Sequence, residues 1–177
     1  ENIRTLENLN TCLMDDYFIF TGSRATSASY QTGLWRSDGT DEGTVELLSM
    51  YESPLVLYRF GDEMLFQGMS STETGWELWK TDGTSEGTVL LAEIARGSSS
   101  SSPGEFMSSD GVSGVYFCAT DNEHGRELWY TDGTREGTRL LLDLLPGSGD
   151  GDPYKITSIK DHTLFIAKKE GAGVELW

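Results

Sequence analysis

Only two cysteines and two histidines occur in the chain, and each scarcity removes a class of chemistry. Cys12 and Cys118 fall at non-equivalent places, so they form neither a metal-binding spacing nor a recurring disulfide, and each reads as a small buried hydrophobe. His124 and His162 have no nucleophile or second ligand at a recognisable spacing, which leaves a Ser-His-Asp or zinc site without support. Basic residues are also few, 13 against 29 acidic ones. The formal charge of −16 repels phosphate backbones and anionic membrane surfaces, so nucleic acid is a poor partner. No apolar run approaches the roughly 18 residues that would span a bilayer. The first residue is Glu1, no signal peptide is visible and the last residue interrupts a motif, so the chain reads as a processed or partial piece of something longer.

What the chain has in quantity is glycine, 21 residues of it, and tryptophan at regular intervals. Trp35-Arg36-Ser37-Asp38-Gly39-Thr40-Asp41-Glu42-Gly43-Thr44 returns as residues 79–88 and 129–138, and the chain stops at a fourth Val174-Glu175-Leu176-Trp177. The four tryptophans lie 44, 50 and 48 residues apart. Self-similarity at that period marks stacked identical units. A short apolar run carrying a phenylalanine precedes each tryptophan: Tyr17-Phe18-Ile19-Phe20, Met64-Leu65-Phe66, Val115-Tyr116-Phe117-Cys118-Ala119 and Leu164-Phe165-Ile166-Ala167. These runs are short and rich in aromatic and branched residues, which is strand chemistry. Their nearly continuous hydrophobicity implies that both faces are covered.

Another candidate strand lies ahead of each run, over residues 54–60 and 154–159 for example. The joining turns are Asp15-Asp16, Gly61-Asp62, Asp110-Gly111 and Lys160-Asp161. The Glu-Leu-Trp segment is the third strand, the Asp-Gly pair opens a tight reversal, and residues 45–48, 89–91 and 140–142 form the fourth. Each unit is therefore four antiparallel strands in about 48 residues, the size of a β-propeller blade. The expected organisation is an end strand over 1–7, blades over 8–50, 51–97 and 98–147, and a partial blade over 148–177. An arc of a larger propeller is expected; the alternative is a closed four-bladed ring in which residues 3–6 complete the last blade.

These residues resemble the ELWxxDGT repeat family, with Glu77-Leu78-Trp79-Lys80-Thr81-Asp82-Gly83-Thr84 and Glu127-Leu128-Trp129-Tyr130-Thr131-Asp132-Gly133-Thr134 as full matches. The first copy departs in carrying Gly33 where the family has glutamate. The resemblance implies large, mostly secreted repeat proteins with propeller-like blades and no defined chemistry. The motif is also similar to the Asp-box of sialidase-like propellers, which implies fold and not hydrolysis. In both likenesses the hairpin residues are structural: Trp35, Asp38, Gly39 and Thr44, then Trp79, Asp82, Gly83 and Thr88, then Trp129, Asp132, Gly133 and Thr138. Aspartate accepts backbone N–H bonds in the turn, glycine supplies positive φ, and tryptophan packs across the hairpin.

Identical carboxylates on every unit argue against catalysis, since an active site needs different groups converging once. Asp150 and Asp152, in the glycine-rich loop after the third unit, are the calcium candidates; the other reading of that loop is a solvated linker. No catalytic residue is assigned, and no cofactor beyond that calcium is called for. The expected role is a non-catalytic structural, interaction or adhesion module of a secreted or lumenal protein. Its partners would be other subunits or further blades, and its binding surfaces the variable loops. The alternative is a carbohydrate-binding or glycan-processing propeller, for which the non-repeating aromatics Tyr30, Tyr51 and Trp76 are the candidates.

Overall fold

A computed structural model describes residues 11–25, 30–108, 113–159 and 162–177. The end strand expected within residues 1–7, the ring closure by residues 3–6 and the turns Asp110-Gly111 and Lys160-Asp161 lie outside the described residues. Within them the chain is all-β and contains no helix. The first sheet holds β1 (Thr11–Leu13), β2 (Phe18–Ala25), β3 (Tyr30–Ser37) and β4 (Val45–Met50). The second holds β5 (Leu55–Phe60), β6 (Glu63–Gly68), β7 (Glu77–Thr81) and β8 (Val89–Ala92). The third holds β9 (Gly104–Ser108), β10 (Val115–Asp121), β11 (Gly125–Thr131) and β12 (Arg139–Leu142). The last holds β13 (Tyr154–Ile159), β14 (His162–Lys169) and β15 (Gly173–Leu176). Every sheet is an antiparallel meander in chain order. His162 pairs with Ile159 as the first residue of β14.

Register sets the packing. Phe20, Phe66 and Phe117 stand directly opposite Trp35, Trp79 and Trp129. In the later sheets the rings are in contact, with Phe66–Trp79 centroids 6.3 Å apart, Phe117–Trp129 6.5 Å and Phe165–Trp177 6.3 Å. Each indole also needs a small residue beside the phenylalanine. A Cβ on Gly68 would lie 2.9 Å from Trp79 Cδ1, and one on Gly22 would lie 3.1 Å from Trp35 Cδ1. Ala119 and Ala167 occupy the same place in the other sheets.

Successive sheets are joined by three apolar clusters of one design. Ile19 and Leu34 of the first sheet meet Met64 and Phe66 of the second. Leu65 and Leu78 of the second meet Val115, Phe117 and Trp129 of the third. Cys118 and Leu128 of the third meet Phe165 and Ala167 of the fourth. Each fully buried Leu or Phe contributes about 1.5–3 kcal/mol, so these joints carry most of the apolar stabilisation. The first strands touch in series, β1 on β5, β5 on β9 and β9 on β13, and β13 makes no comparable contact with β1.

A bulge recurs in these first strands. Val56, Glu105 and Lys155 take φ of 53°, 56° and 51° beside register shifts in β5, β9 and β13. Left-handed backbone is uncommon for any residue with a Cβ and more so for a β-branched valine, so nothing in these side chains announced it.

Candidate functional site

The repeated hairpins are closed hydrogen-bond circuits. Asp38 Oδ1 accepts both the Thr40 N–H at 2.9 Å and the Thr40 hydroxyl at 2.7 Å. The Gly43 N–H donates to Thr40 Oγ1 at 2.9 Å. The Thr44 hydroxyl donates to the Thr40 carbonyl at 2.6 Å, so its oxygen must accept the remaining bond, 2.6 Å from Ser37 Oγ. Ser37 Oγ in turn accepts the Gly39 N–H at 3.1 Å. The circuit is repeated through Asp82, Thr84 and Thr88 with Thr81 in place of serine, and through Asp132, Thr134 and Thr138 with Thr131. The threonine hydroxyls, and then the backbone N–H donors, hold the Asp38, Asp82 and Asp132 carboxyls below the usual carboxylate range.

Two glycines per hairpin serve different ends. Gly39, Gly83 and Gly133 have φ of 93°, 84° and 86°. Gly43, Gly87 and Gly137 are needed for space instead: a Cβ there would lie 2.0–2.1 Å from the aspartate Oδ1. The second set and the central threonines Thr40, Thr84 and Thr134 had escaped assignment, although both recur in every copy of the sequence. The hairpins also dock backwards on the preceding sheet. The Tyr17 hydroxyl donates to the Asp82 carbonyl at 3.0 Å, Arg36 donates to the Gly83 carbonyl at 3.1 Å, and the Arg36 guanidinium lies over the Tyr17 ring at 4.4 Å.

The glutamate of Glu-Leu-Trp is the other element that sequence reasoning left without a role. Glu77 is buried, yet its carboxylate is fully engaged by the link to the next sheet: Ile94 N–H and Ser101 hydroxyl donate at 2.7 Å each, and Ala95 and Ser101 N–H at 3.3 Å each. Glu127, also buried, accepts Leu144 N–H at 2.9 Å and Gly151 N–H at 2.8 Å. Burial pushes both carboxyls above the usual range despite these donors. Each glutamate thus latches the loop leaving its own sheet. In the first sheet Gly33 cannot be replaced so simply, since a Cβ there would lie 2.6 Å from the Leu48 carbonyl oxygen. The following loop is tied instead by Tyr51 N–H to Met69 C=O at 2.9 Å.

The latch fastens the loop after the third unit at Gly151, while residues 146–148 and 150 remain exposed. Asp150 Oδ1 accepts the Arg126 N–H at 2.8 Å, and Asp152 forms an ion pair with Lys168. Both calcium candidates are thereby engaged by the protein's own donors, and no group of three or more metal-binding side chains occurs among the described residues.

Tyr30 and Tyr51 are 76% and 57% exposed, at the same end of the first sheet, whereas Trp76 is half-buried against the serine-rich link, its N–H donating to Ser100 Oγ at 3.1 Å. No ring contact joins any two of them. His124, set aside in the sequence, has an acid partner: Nδ1 lies 2.8 Å from Asp121 Oδ2. Asp121 also caps the turn by accepting N–H bonds from Glu123 and His124. The Asp121 hydrogen bond raises the His124 pKa. Burial pushes the Cys118 thiol to about 12, with Sγ 2.8 Å from the Pro153 carbonyl, and leaves it inert.

No protein-family model matches the sequence, and no curated protein does. Among solved structures, the acylaminoacyl peptidase of Pyrococcus horikoshii (orthorhombic crystal form) is similar with a TM-score of 0.53 and 14% identity. The alignment covers 95% of this chain but only 25% of that one, so this chain spans about a quarter of the peptidase's length. At such identity the likeness concerns the fold of the antiparallel sheets and carries no activity across.

Proposed function

We propose that this chain is a non-catalytic β-propeller segment of the ELWxxDGT repeat type. It serves as a structural or protein-interaction and adhesion module of a larger secreted or lumenal protein or assembly. One observation carries the reading. Leu34, Leu78 and Leu128 are 0%, 0% and 1% exposed because each receives the phenylalanine-bearing face of the next sheet, whereas their counterpart Leu176 is 69% exposed. Leu176 pairs with Ile166 on β14, and Val174, two residues along, is 58% exposed on the same face. The last sheet therefore offers the surface that is covered three times elsewhere, and a further blade or another subunit with a matching face is its natural partner.

The carboxylates most prominent in the sequence also favour a scaffold over an enzyme. Asp38, Asp82 and Asp132 are committed to turns, and Glu77 and Glu127 to links between sheets. Sedimentation velocity tests the reading. The wild-type chain should associate with rising concentration, and Leu176→Asp should remain monomeric with an unchanged melting temperature. A wild-type chain that stays monomeric at every concentration and binds no apolar dye would count against it.

The glycan-binding reading has one observation in its favour, the exposure of Tyr30 and Tyr51 at one end of the first sheet. Aromatic faces stack on sugar rings, so the double variant Tyr30→Ala/Tyr51→Ala should lose any retention on a glycan surface. Absence of retention by the wild type removes that reading.

A further inference from the structure

A cleft of about 380 Å³ lies between the second and third sheets, with Trp129 and Ala92 in its wall and the exposed Arg96 and Arg135 at its mouth. The two arginines are set apart from the rest. Arg24 meets Glu46, Arg59 meets Asp15, Arg36 and Arg126 donate to the carbonyls of Gly83 and Ser102, and Arg139 donates to the Gly137 carbonyl and lies over Tyr130. Arg96 and Arg135 alone among the described arginines have guanidinium groups with no hydrogen-bond, ion-pair or ring partner, in a chain of net charge −16 where carboxylates abound.

The repeat tells which parts of the cleft the fold requires. Trp129 and Thr138 recur in every complete unit, so they belong to the scaffold. Arg96 stands where the other links carry Glu52 and Pro146, and Arg135 where the other hairpins carry Asp41 and Ser85. Register places Leu48, Ala92 and Leu142 opposite Leu34, Leu78 and Leu128, so the cleft opens where a methyl replaces an isobutyl group. Both the space and the charge are thus departures from the repeat, at one interface out of three, and neither is demanded by packing.

The remaining polar groups limit what can enter. Asn122 is occupied on both sides, accepting the Arg96 N–H at 2.6 Å and donating to Ser99 Oγ at 3.1 Å. The Asp121 carboxylate is taken up by His124 and its own turn. Two further carboxylates line the cleft: Glu93 accepts the Gly97 N–H at 3.4 Å and Glu123 is left as an acceptor, while the two guanidinium forks match a planar carboxylate. The overall acidity repels extended polyanions. We infer that this cleft binds a small carboxylate ligand carrying hydroxyl or ammonium donors, the carboxylate on Arg96 and Arg135 and a donor on Glu123.

Calorimetric titration with D-glucuronate and with L-alanine, and with uncharged D-glucose as the control, tests the inference. Saturable binding of either acid is expected, weakened about tenfold or more in Arg135→Gln, the loss of one charge-assisted contact. The same binding should disappear in Ala92→Leu, which restores the side chain of the neighbouring interfaces. Which acid binds distinguishes a sugar acid from an amino acid as the source of the carboxylate. Failure of both acids to bind, equal binding of D-glucose, or binding unaffected by Arg135→Gln would overturn the inference. Arg135 is a surface residue, so its variant reports even if Ala92→Leu does not fold.

Discussion

Glu127 accepts the Gly151 N–H at 2.8 Å from 24 residues away, and the loop between them is thereby fastened to the sheet it leaves. A glutamine there would keep the shape but turn an N–H donor toward either Leu144 or Gly151, whichever way the amide is set. Glu127→Gln should therefore lose about 1–3 kcal/mol, the usual cost of a buried donor left without an acceptor. Chemical denaturation of the variant measures it. A loss below a few tenths would mean that the latch contributes nothing.

The hairpin glycines make a coupled pair with the aspartates. Gly87→Ala forces the Asp82 carboxylate out of its bonds to Thr84, since the new Cβ would sit 2.1 Å from Oδ1. The expected cost is about 1–3 kcal/mol. In an Asp82→Ala background the obstruction is gone, and the same glycine substitution should cost much less. The double-mutant cycle reads this directly, and strict additivity would contradict the spatial account.

Acid should act on the two kinds of carboxylate with opposite sign. The Asp132 pKa is lowered in the folded state, chiefly by the Thr134 hydroxyl, so its stabilisation is present above the unfolded value of 3.8 and is lost as pH falls through the folded value. Glu77 and Glu127 are raised by burial, so their titration favours the fold below 4.5 and costs stability as pH rises through their folded values. Asp132→Asn should consequently be destabilising at neutral pH, with the difference from wild type shrinking in strong acid. Urea melts across pH give the two curves, and parallel curves would refute the assignment.

Leu128 and Leu176 hold the same place in successive sheets but differ in exposure, 1% against 69%. Leu128→Ala should cost about 2–5 kcal/mol, as deletion of a buried leucine usually does. Leu176→Ala should stay within about 0.5 kcal/mol in the isolated chain, as surface substitutions do. Equal penalties would place a covering element over Leu176 within the chain itself.

The fold was legible where it repeats. Phenylalanine runs, tryptophans and Asp-Gly pairs at a fixed period gave the strands of every sheet, and residues 154–159 match β13 to the residue. The left-handed Val56 was not legible, because a bulge is imposed by the neighbouring strand and not by the side chain that adopts it. The glutamate latches were visible as a recurrence but not as a role: their partners are backbone N–H groups, which have no letter in the sequence. Asp150 and Asp152 invited a calcium reading beside the solvated-linker one for the converse reason, since two carboxylates look free until the Arg126 backbone N–H and Lys168 are seen beside them. Arg96 and Arg135 stand out only after the repeat has been aligned and the partners of the other described arginines are known.

The central claim concerns what covers the face of Leu164, Ile166 and Leu176. An electron cryo-microscopy structure of this chain in its native state, with whatever it is joined to or assembled with, answers it. The account predicts a further sheet on that face, from the same chain or another subunit, presenting a phenylalanine and a tryptophan to Leu176 as Phe165 and its sheet do to Leu128. A face left open to solvent, or covered by a segment that is not such a sheet, would contradict it.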